Sequence, residues 1–240
     1  MNPIILIPAR MASSRLPGKP LANVAGRPMI VRVWEQAVAA NLGPVVVAAA
    51  EPQIVETVEE AGGTAVLTDP ALASGSDRIF AALQQLDPEA RHDVVINLQG
   101  DLPVLAPEDI RAVAAAVAGS DIATLVAEIT DPAERDNPSV VKAVVAWEAN
   151  VKKGRALYFT RAAAPSGDGP LFHHVGIYAF TRAALARFVA LPPSALEVRE
   201  KLEQLRALEA GMRIAVARVD RVPLSVDTPS DLERANRLLK

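Results

Sequence analysis

Short apolar runs rich in β-branched residues, alternating with longer amphipathic stretches, constrain the fold of this chain more than any other feature. The runs fall at residues 4–8, 44–48, 65–67, 93–97, 122–128, 140–145, 174–180 and 214–217. Between them, helical patterning covers 29–40, 53–61, 75–85, 107–117, 182–189, 196–210 and 229–239. The first runs are apolar throughout rather than alternating, as strands are when helices cover both faces of a parallel sheet. Repeated strand–helix–strand order predicts an open α/β sheet. Pro28, Pro107 and the pair Thr228-Pro229 stand where helices are expected to begin. From about 130–176 the rhythm breaks, with polar turns at Asp131-Pro132, Asn137-Pro138 and 166–170. That stretch is expected to be a β-rich lobe inserted into a single domain spanning 1–240, closing over the sheet.

Length and charge narrow the function classes. A chain of 240 residues buries roughly 70–75% of its unfolded surface and needs no staple to fold. It has no cysteine, so a disulfide framework and a thiolate metal site are both excluded. Three histidines, at 92, 173 and 174, do not make a histidine zinc cage. With 25 basic and 28 acidic residues and a net charge of -3, the chain lacks the basic surplus of a nucleic-acid binder. No stretch approaches the about 20 apolar residues of a membrane span, and the N-terminus reads as a buried strand, not a signal peptide. The expected location is cytoplasmic, with no nucleic-acid or membrane partner. An anionic ligand would have to be held by a local cluster of cations.

Such a cluster follows the first run: Pro8-Ala9-Arg10-Met11-Ala12-Ser13-Ser14-Arg15-Leu16-Pro17-Gly18-Lys19-Pro20-Leu21. Two arginines and a lysine crowd a loop at the carboxyl end of a strand, the edge where open α/β sheets bind ligands. Loop amides can cradle phosphate oxygens, and the cations can neutralise charge that builds when a phosphorus centre is attacked. The G-x-x-x-x-G-K-[ST] pattern is absent, so this is a phosphate loop of another kind. Asp101, in Gln99-Gly100-Asp101-Leu102-Pro103, closes another apolar run beside that edge and suits a hard cation such as magnesium. Asp227, just before the last helix, reads by itself as a cap. Ser74-Gly75-Ser76-Asp77-Arg78 reads by itself as a polar helix start. His174 alone reads as a structural histidine, and Glu203 as a solvated helix face.

Taken together, R-x-x-S-x-R-L-P-G-K-P-L at 10–21, Q-G-D at 99–101 and V-D-T-P at 226–229 resemble the 3-deoxy-manno-octulosonate (KDO) cytidylyltransferases. S-G-S-D-R at 74–78, Y-F-T-R at 158–161, H-V-G-I-Y at 174–178 and L-E-Q-L-R at 202–206 extend the likeness over nearly the whole chain. The resemblance implies a Rossmann-like nucleotidyltransferase fold, a mixed and mostly parallel sheet whose inserted lobe serves sugar binding and dimerisation. It implies transfer of CMP from CTP to an acidic eight-carbon sugar, giving CMP-KDO and pyrophosphate for lipopolysaccharide biosynthesis, by a homodimer using Mg2+. The implied catalytic residues are Arg10, Lys19, Asp101 and Asp227, with Asp101 and Asp227 as metal ligands. Pro8, Ala9, Arg10, Ser13, Ser14, Lys19, Ser74, Gly75, Arg78 and Asp101 would contact the nucleotide. Arg15, Gln99, Arg161, His174, Tyr178, Glu203 and Gln204 would contact the sugar, with Arg15 and Arg161 as partners for its carboxylate. The chain departs from the family's pattern at Ala49-Ala50, where a threonine–aspartate pair is common, and at Leu102, often glutamate. These departures keep open another 2-keto-3-deoxy acid, such as 8-amino-KDO or a sialic-type sugar. A non-catalytic nucleotide-sugar sensor is the other alternative.

Overall fold

The computed structural model describes residues 1–149 and 152–239. The chain divides into two compact units, Met1–Arg111 with the segment from Pro223 onward, and Ala112–Val222. The stretch 130–176 falls inside the second unit, and its residues 150 and 151 lie outside the described residues.

The first unit begins with β1 (Pro3–Ala9), a 3-10 turn at Lys19–Leu21, and a hairpin of β2 (Asn23–Val24) and β3 (Arg27–Pro28). There follow α1 (Met29–Ala39), β4 (Val45–Ala49), α2 (Pro52–Glu60), β5 (Thr64–Leu67), α3 (Gly75–Leu86), β6 (Val94–Asn97) and the start of α4 (Pro107–Ala116). Four strands lie in the order β5-β4-β1-β6, all parallel. β1 is central, and Ile5, Leu6 and Ile7 are fully buried, which is why that run carries no polar alternation. The helices offer apolar stripes: Ile30, Val33 and Ala37 on α1, Ile54 and Val58 on α2, Ile79, Ala82 and Leu83 on α3.

The second unit holds β7 (Ile122–Glu128), α5 (Pro132–Arg135), β8 (Lys142–Trp147), β9 (Lys153–Thr160) and β10 (Phe172–Thr181). It continues through α6 (Arg182–Ala190), α7 (Ala195–Glu200), α8 (Leu205–Glu209) and β11 (Ile214–Val219). Its strands run in the order β10-β7-β11-β9-β8, and β8 also meets β10, so the row closes on itself. Only β7 and β11 are parallel there; the other pairs are antiparallel. The expected mixed α/β architecture is therefore present, parallel in the first unit and mixed in the second. The chain then returns to the first unit with α9 (Pro229–Leu238).

Two differences from the sequence reading have physical causes. β9 was not expected, because Lys153, Gly154 and Arg155 break the apolar pattern; Ala156, Phe159 and Thr160 are its buried residues. The single helix expected over 196–210 is two, α7 and α8. Lys201 takes a left-handed conformation at φ 57° and ends α7, leaving Glu203 and Gln204 in the connecting turn. No helix among the described residues is long and apolar enough to cross a membrane.

Candidate active site

The loop after β1 folds on itself. Gly18 amide donates to the Met11 carbonyl (3.3 Å) and Lys19 amide to the Leu16 carbonyl (3.1 Å). Gly18 sits at φ 69°, a left-handed conformation that only glycine adopts without cost, and this explains the glycine before the lysine. Ser13 Oγ accepts the Leu16 amide at 3.4 Å. Met11 amide donates to the Glu51 carboxylate at 2.9 Å, tying the loop to the start of α2. Glu51 is a residue that sequence reasoning missed. It lies one position beyond the Ala49-Ala50 departure, and an acid at a strand's carboxyl end was the available signal.

This loop lines a cleft of about 350 Å3. All ten of the nucleotide-contact candidates line it: Pro8, Ala9, Arg10, Ser13, Ser14, Lys19, Ser74, Gly75, Arg78 and Asp101. Arg15 and Gln99 from the sugar set join them. Gly75 opens α3 against Pro8, where a Cβ would come within 3.2 Å of the proline ring. Ser74 caps that helix: its hydroxyl accepts the Asp77 amide (3.2 Å), and Asp77 accepts the Ser74 amide (3.1 Å). The plain reading of this segment as a helix start is correct. Arg78 is 2% exposed. Its Nη1 donates to Thr68 Oγ1 (2.6 Å) and the Asp69 carbonyl (3.1 Å), while Nη2 has no partner among the described residues. Burial lowers its pKa, with Glu51 opposing and Arg10 adding to the effect.

Asp101 lines this cleft, and Asp227, distant in sequence, is brought beside it on Lys19 without itself lining the cleft. Lys19 Nζ lies 2.8 Å from Asp101 Oδ2 and 3.1 Å from Asp227 Oδ1, and Arg15 Nη2 is 3.2 Å from the same oxygen of Asp227. Burial alone would lower the Lys19 pKa, but the two carboxylates outweigh it and the net shift is upward. Two features bring the segments together. Val226 amide donates to the Asp101 carbonyl at 2.9 Å. Val24, Met29, Val226 and Ala235 also form a buried cluster, with Leu16, Leu224, Leu232 and Leu239 packed on it. Thr228 caps α9 with Asp231 in a reciprocal capping box, so the cap is Thr228 and the Asp227 carboxylate is left for Lys19 and Arg15. Leu102, at the other departure, is buried.

The remaining sugar candidates lie in the second unit. His174 and Tyr178 stand close together on β10, ring centroids 5.5 Å apart, and the Phe159 ring lies 4.9 Å from His174. Burial holds the His174 imidazole near a pKa of about 3. It also pushes the Tyr178 phenol upward, and the Glu203 carboxylate adds to that shift. Gln204 is buried, and its Nε2 has no partner among the described residues. Arg161 is engaged elsewhere: Nε donates to the Glu200 carbonyl (2.9 Å) and Nη1 to the Pro138 carbonyl (2.9 Å). The fully buried Lys142 supports the same region, donating to the carbonyls of Asn137 (2.7 Å) and Arg161 (3.1 Å).

A parallel α/β sheet with a self-folded basic loop and two converging carboxylates at one edge defines a protein of the nucleotidyltransferase fold. A solved structure of 4-diphosphocytidyl-2C-methyl-D-erythritol synthase from Anaerococcus prevotii shares that fold, with a TM-score of 0.65 at 15% identity over 98% of this chain and 97% of that one. The family model for cytidylyltransferases matches residues 4–214. Curated relatives named 3-deoxy-manno-octulosonate cytidylyltransferase include one from Rhodospirillum centenum, 63% identical over 99% of this chain and 93% of the relative. Another, from Parvibaculum lavamentivorans, is 62% identical with the same coverage. A solved structure of CMP:2-keto-3-deoxy-manno-octonic acid synthetase complexed with CTP is 37% identical, with a TM-score of 0.91 over 100% of this chain and 98% of that one. The chain belongs to the 3-deoxy-manno-octulosonate cytidylyltransferase family.

Proposed function

We propose that this chain transfers CMP from CTP to 3-deoxy-manno-octulosonate, releasing pyrophosphate. The observation that carries the reading is the meeting of Asp101 and Asp227 on Lys19, beside a cleft lined by Arg10, Arg15 and other residues of the loop after β1. Arg10 and Lys19 stabilise negative charge on the phosphates as the leaving group departs. The loop amides and Ser13 and Ser14 hold the triphosphate, while Ser74, Gly75 and the buried Arg78 border the base. Held in this frame, the α-phosphorus and the attacking anomeric hydroxyl react without the entropy cost of a free encounter.

The carboxylates fit a metal. Asp101 and Asp227 converge on one cation, here the Lys19 ammonium, and among the described residues no group of three or more His, Asp or Glu forms a complete protein cage. One or two carboxylates, with phosphate oxygens filling the remaining positions, is the donor set of magnesium. Asp101 and Asp227 would hold the magnesium, which would supply charge neutralisation at the phosphates.

On the sugar side, His174, Tyr178, Glu203 and Gln204 are the polar contacts of the second unit, and Gln99 borders the nucleotide cleft. Arg15 is one of the two cations proposed for the sugar carboxylate. Arg161, the other, holds the main chain at Pro138 and Glu200. A homodimer, a cytoplasmic location, a lobe at about 130–176 that serves the sugar and the dimer, and a place in lipopolysaccharide assembly complete the reading. They rest on the family's properties.

Turnover of two variants tests it. Lys19→Ala and Asp227→Asn should each lower kcat by about 100-fold or more while circular dichroism stays that of the parent chain. Unchanged turnover in both would sink the assignment.

A further inference from the structure

The hydrogen bonds around Thr124 decide which nitrogen of His174 carries its proton. Thr124 lies on β7 opposite Tyr178, and the next pair in the ladder is Leu125 with Val175. Gly176 and Ile177 therefore bulge out of register. The Thr124 side chain, fully buried, fills that bulge. Its Oγ1 lies 2.8 Å from the Ile177 carbonyl, 3.1 Å from the Val175 carbonyl and 3.0 Å from His174 Nε2.

A hydroxyl has one proton and two lone pairs. Both carbonyls can only accept, and a buried carbonyl left without a donor is costly. The single hydroxyl proton thus points to the carbonyl side, nearest the Ile177 oxygen, and a lone pair faces the imidazole, so Nε2 donates. Phe159 and Tyr178 pack on the ring and oppose a flip that would exchange the two nitrogens. Nδ1 has no hydrogen-bond partner among the described residues.

We infer that Thr124 is a positioning residue that locks His174 in the neutral form protonated at Nε2, so that Nδ1 is a bare acceptor for a hydroxyl of the sugar acid. The tautomer follows from the geometry of the second unit alone; the identity of the donor rests on the function proposed above. Burial, which keeps the imidazole neutral, prevents Nδ1 from turning into a donor. In this role the H-V-G-I-Y sequence is a bulge that needs a hydroxyl on the neighbouring strand.

The chain has only three histidines, so nitrogen NMR of the 15N-histidine-labelled protein can assign each ring by removing His92 and His173 in turn. The intact protein should show a protonated Nε2 and an unprotonated Nδ1 at His174. Thr124→Val, which keeps the shape and removes the hydroxyl, should release that preference. It should raise the KM for the sugar acid about tenfold, the loss of roughly one hydrogen bond, with the KM for CTP unchanged. Thr124→Ser should restore both. A wild-type ring protonated at Nδ1, or an unchanged tautomer in Thr124→Val, overturns the inference whatever the kinetics. A released tautomer with an unmoved sugar KM leaves the Thr124 lock standing and overturns the reading of His174 as a sugar contact.

Discussion

At the scale of single side chains, burial gives His174 a measurable effect on stability as well as a place in the site. Its folded value of about 3 lies below the ordinary 6.5. Between those values the unfolded chain binds the proton and the folded chain does not, so stability rises with pH through this window. The contribution is complete above about 6.5 and is lost as pH falls toward 3, at a slope of up to about 1.4 kcal/mol per pH unit. His173 acts in the same direction, its pKa lowered by burial against the opposing Glu134. Urea unfolding between pH 7 and pH 5 should therefore show falling stability, with a shallower slope in His174→Gln. An identical slope in that variant would contradict the assignment. Lys19 and Asp101 were legible in the sequence because each lies in a compact local pattern that follows a strand. Glu51 and Thr124 were not, since their roles arise only when distant segments are brought alongside: the amide of Met11 for one, a bulge on another strand for the other.

Among the elements, the connection between α7 and α8 shows where patterning runs out. Apolar spacing continues through 196–210, yet the backbone turns at Lys201. The two short helices are joined instead by Arg206, whose Nε and Nη2 grip the Glu197 carboxylate at 2.8 and 2.6 Å. Arg206 in turn holds the Glu197 carboxyl below its usual range, with burial opposing. Glu197 also closes a capping box with Ser194. Ser194→Ala should cost about 1 kcal/mol of stability, read as a lower urea midpoint at unchanged slope; no change would mean the cap is idle. The parallel strands of the first unit were legible because burial on both faces writes an unbroken apolar run. β9 was not, because its first residues are charged or glycine and only Ala156, Phe159 and Thr160 are buried.

For the molecule as a whole, the arrangement that matters joins the two ends of the chain. The loop near the N-terminus and α9 near the C-terminus share one apolar cluster, and that packing carries Asp227 to Lys19. No local pattern announces such a meeting; only the family's likeness placed Asp227 beside Asp101 in advance. The proposed homodimer should sediment at twice 25.4 kDa, and a species at the single-chain mass across the working concentration range would remove it. Magnesium dependence is tested at the same scale: EDTA should stop turnover and added magnesium should restore it, whereas activity unaffected by EDTA would leave Asp101 and Asp227 without a metal to hold.

The most direct measurement of the central claim is pyrophosphate release from CTP and magnesium with 3-deoxy-manno-octulosonate, its 8-amino analogue and a sialic acid offered separately. The arrangement of Lys19, Asp101 and Asp227 predicts release, with 3-deoxy-manno-octulosonate giving the highest kcat/KM. Release with another of the three would keep the reaction and replace the sugar. Silence with all three, in a protein that still binds CTP, would contradict catalysis and leave a nucleotide-sugar sensor in its place.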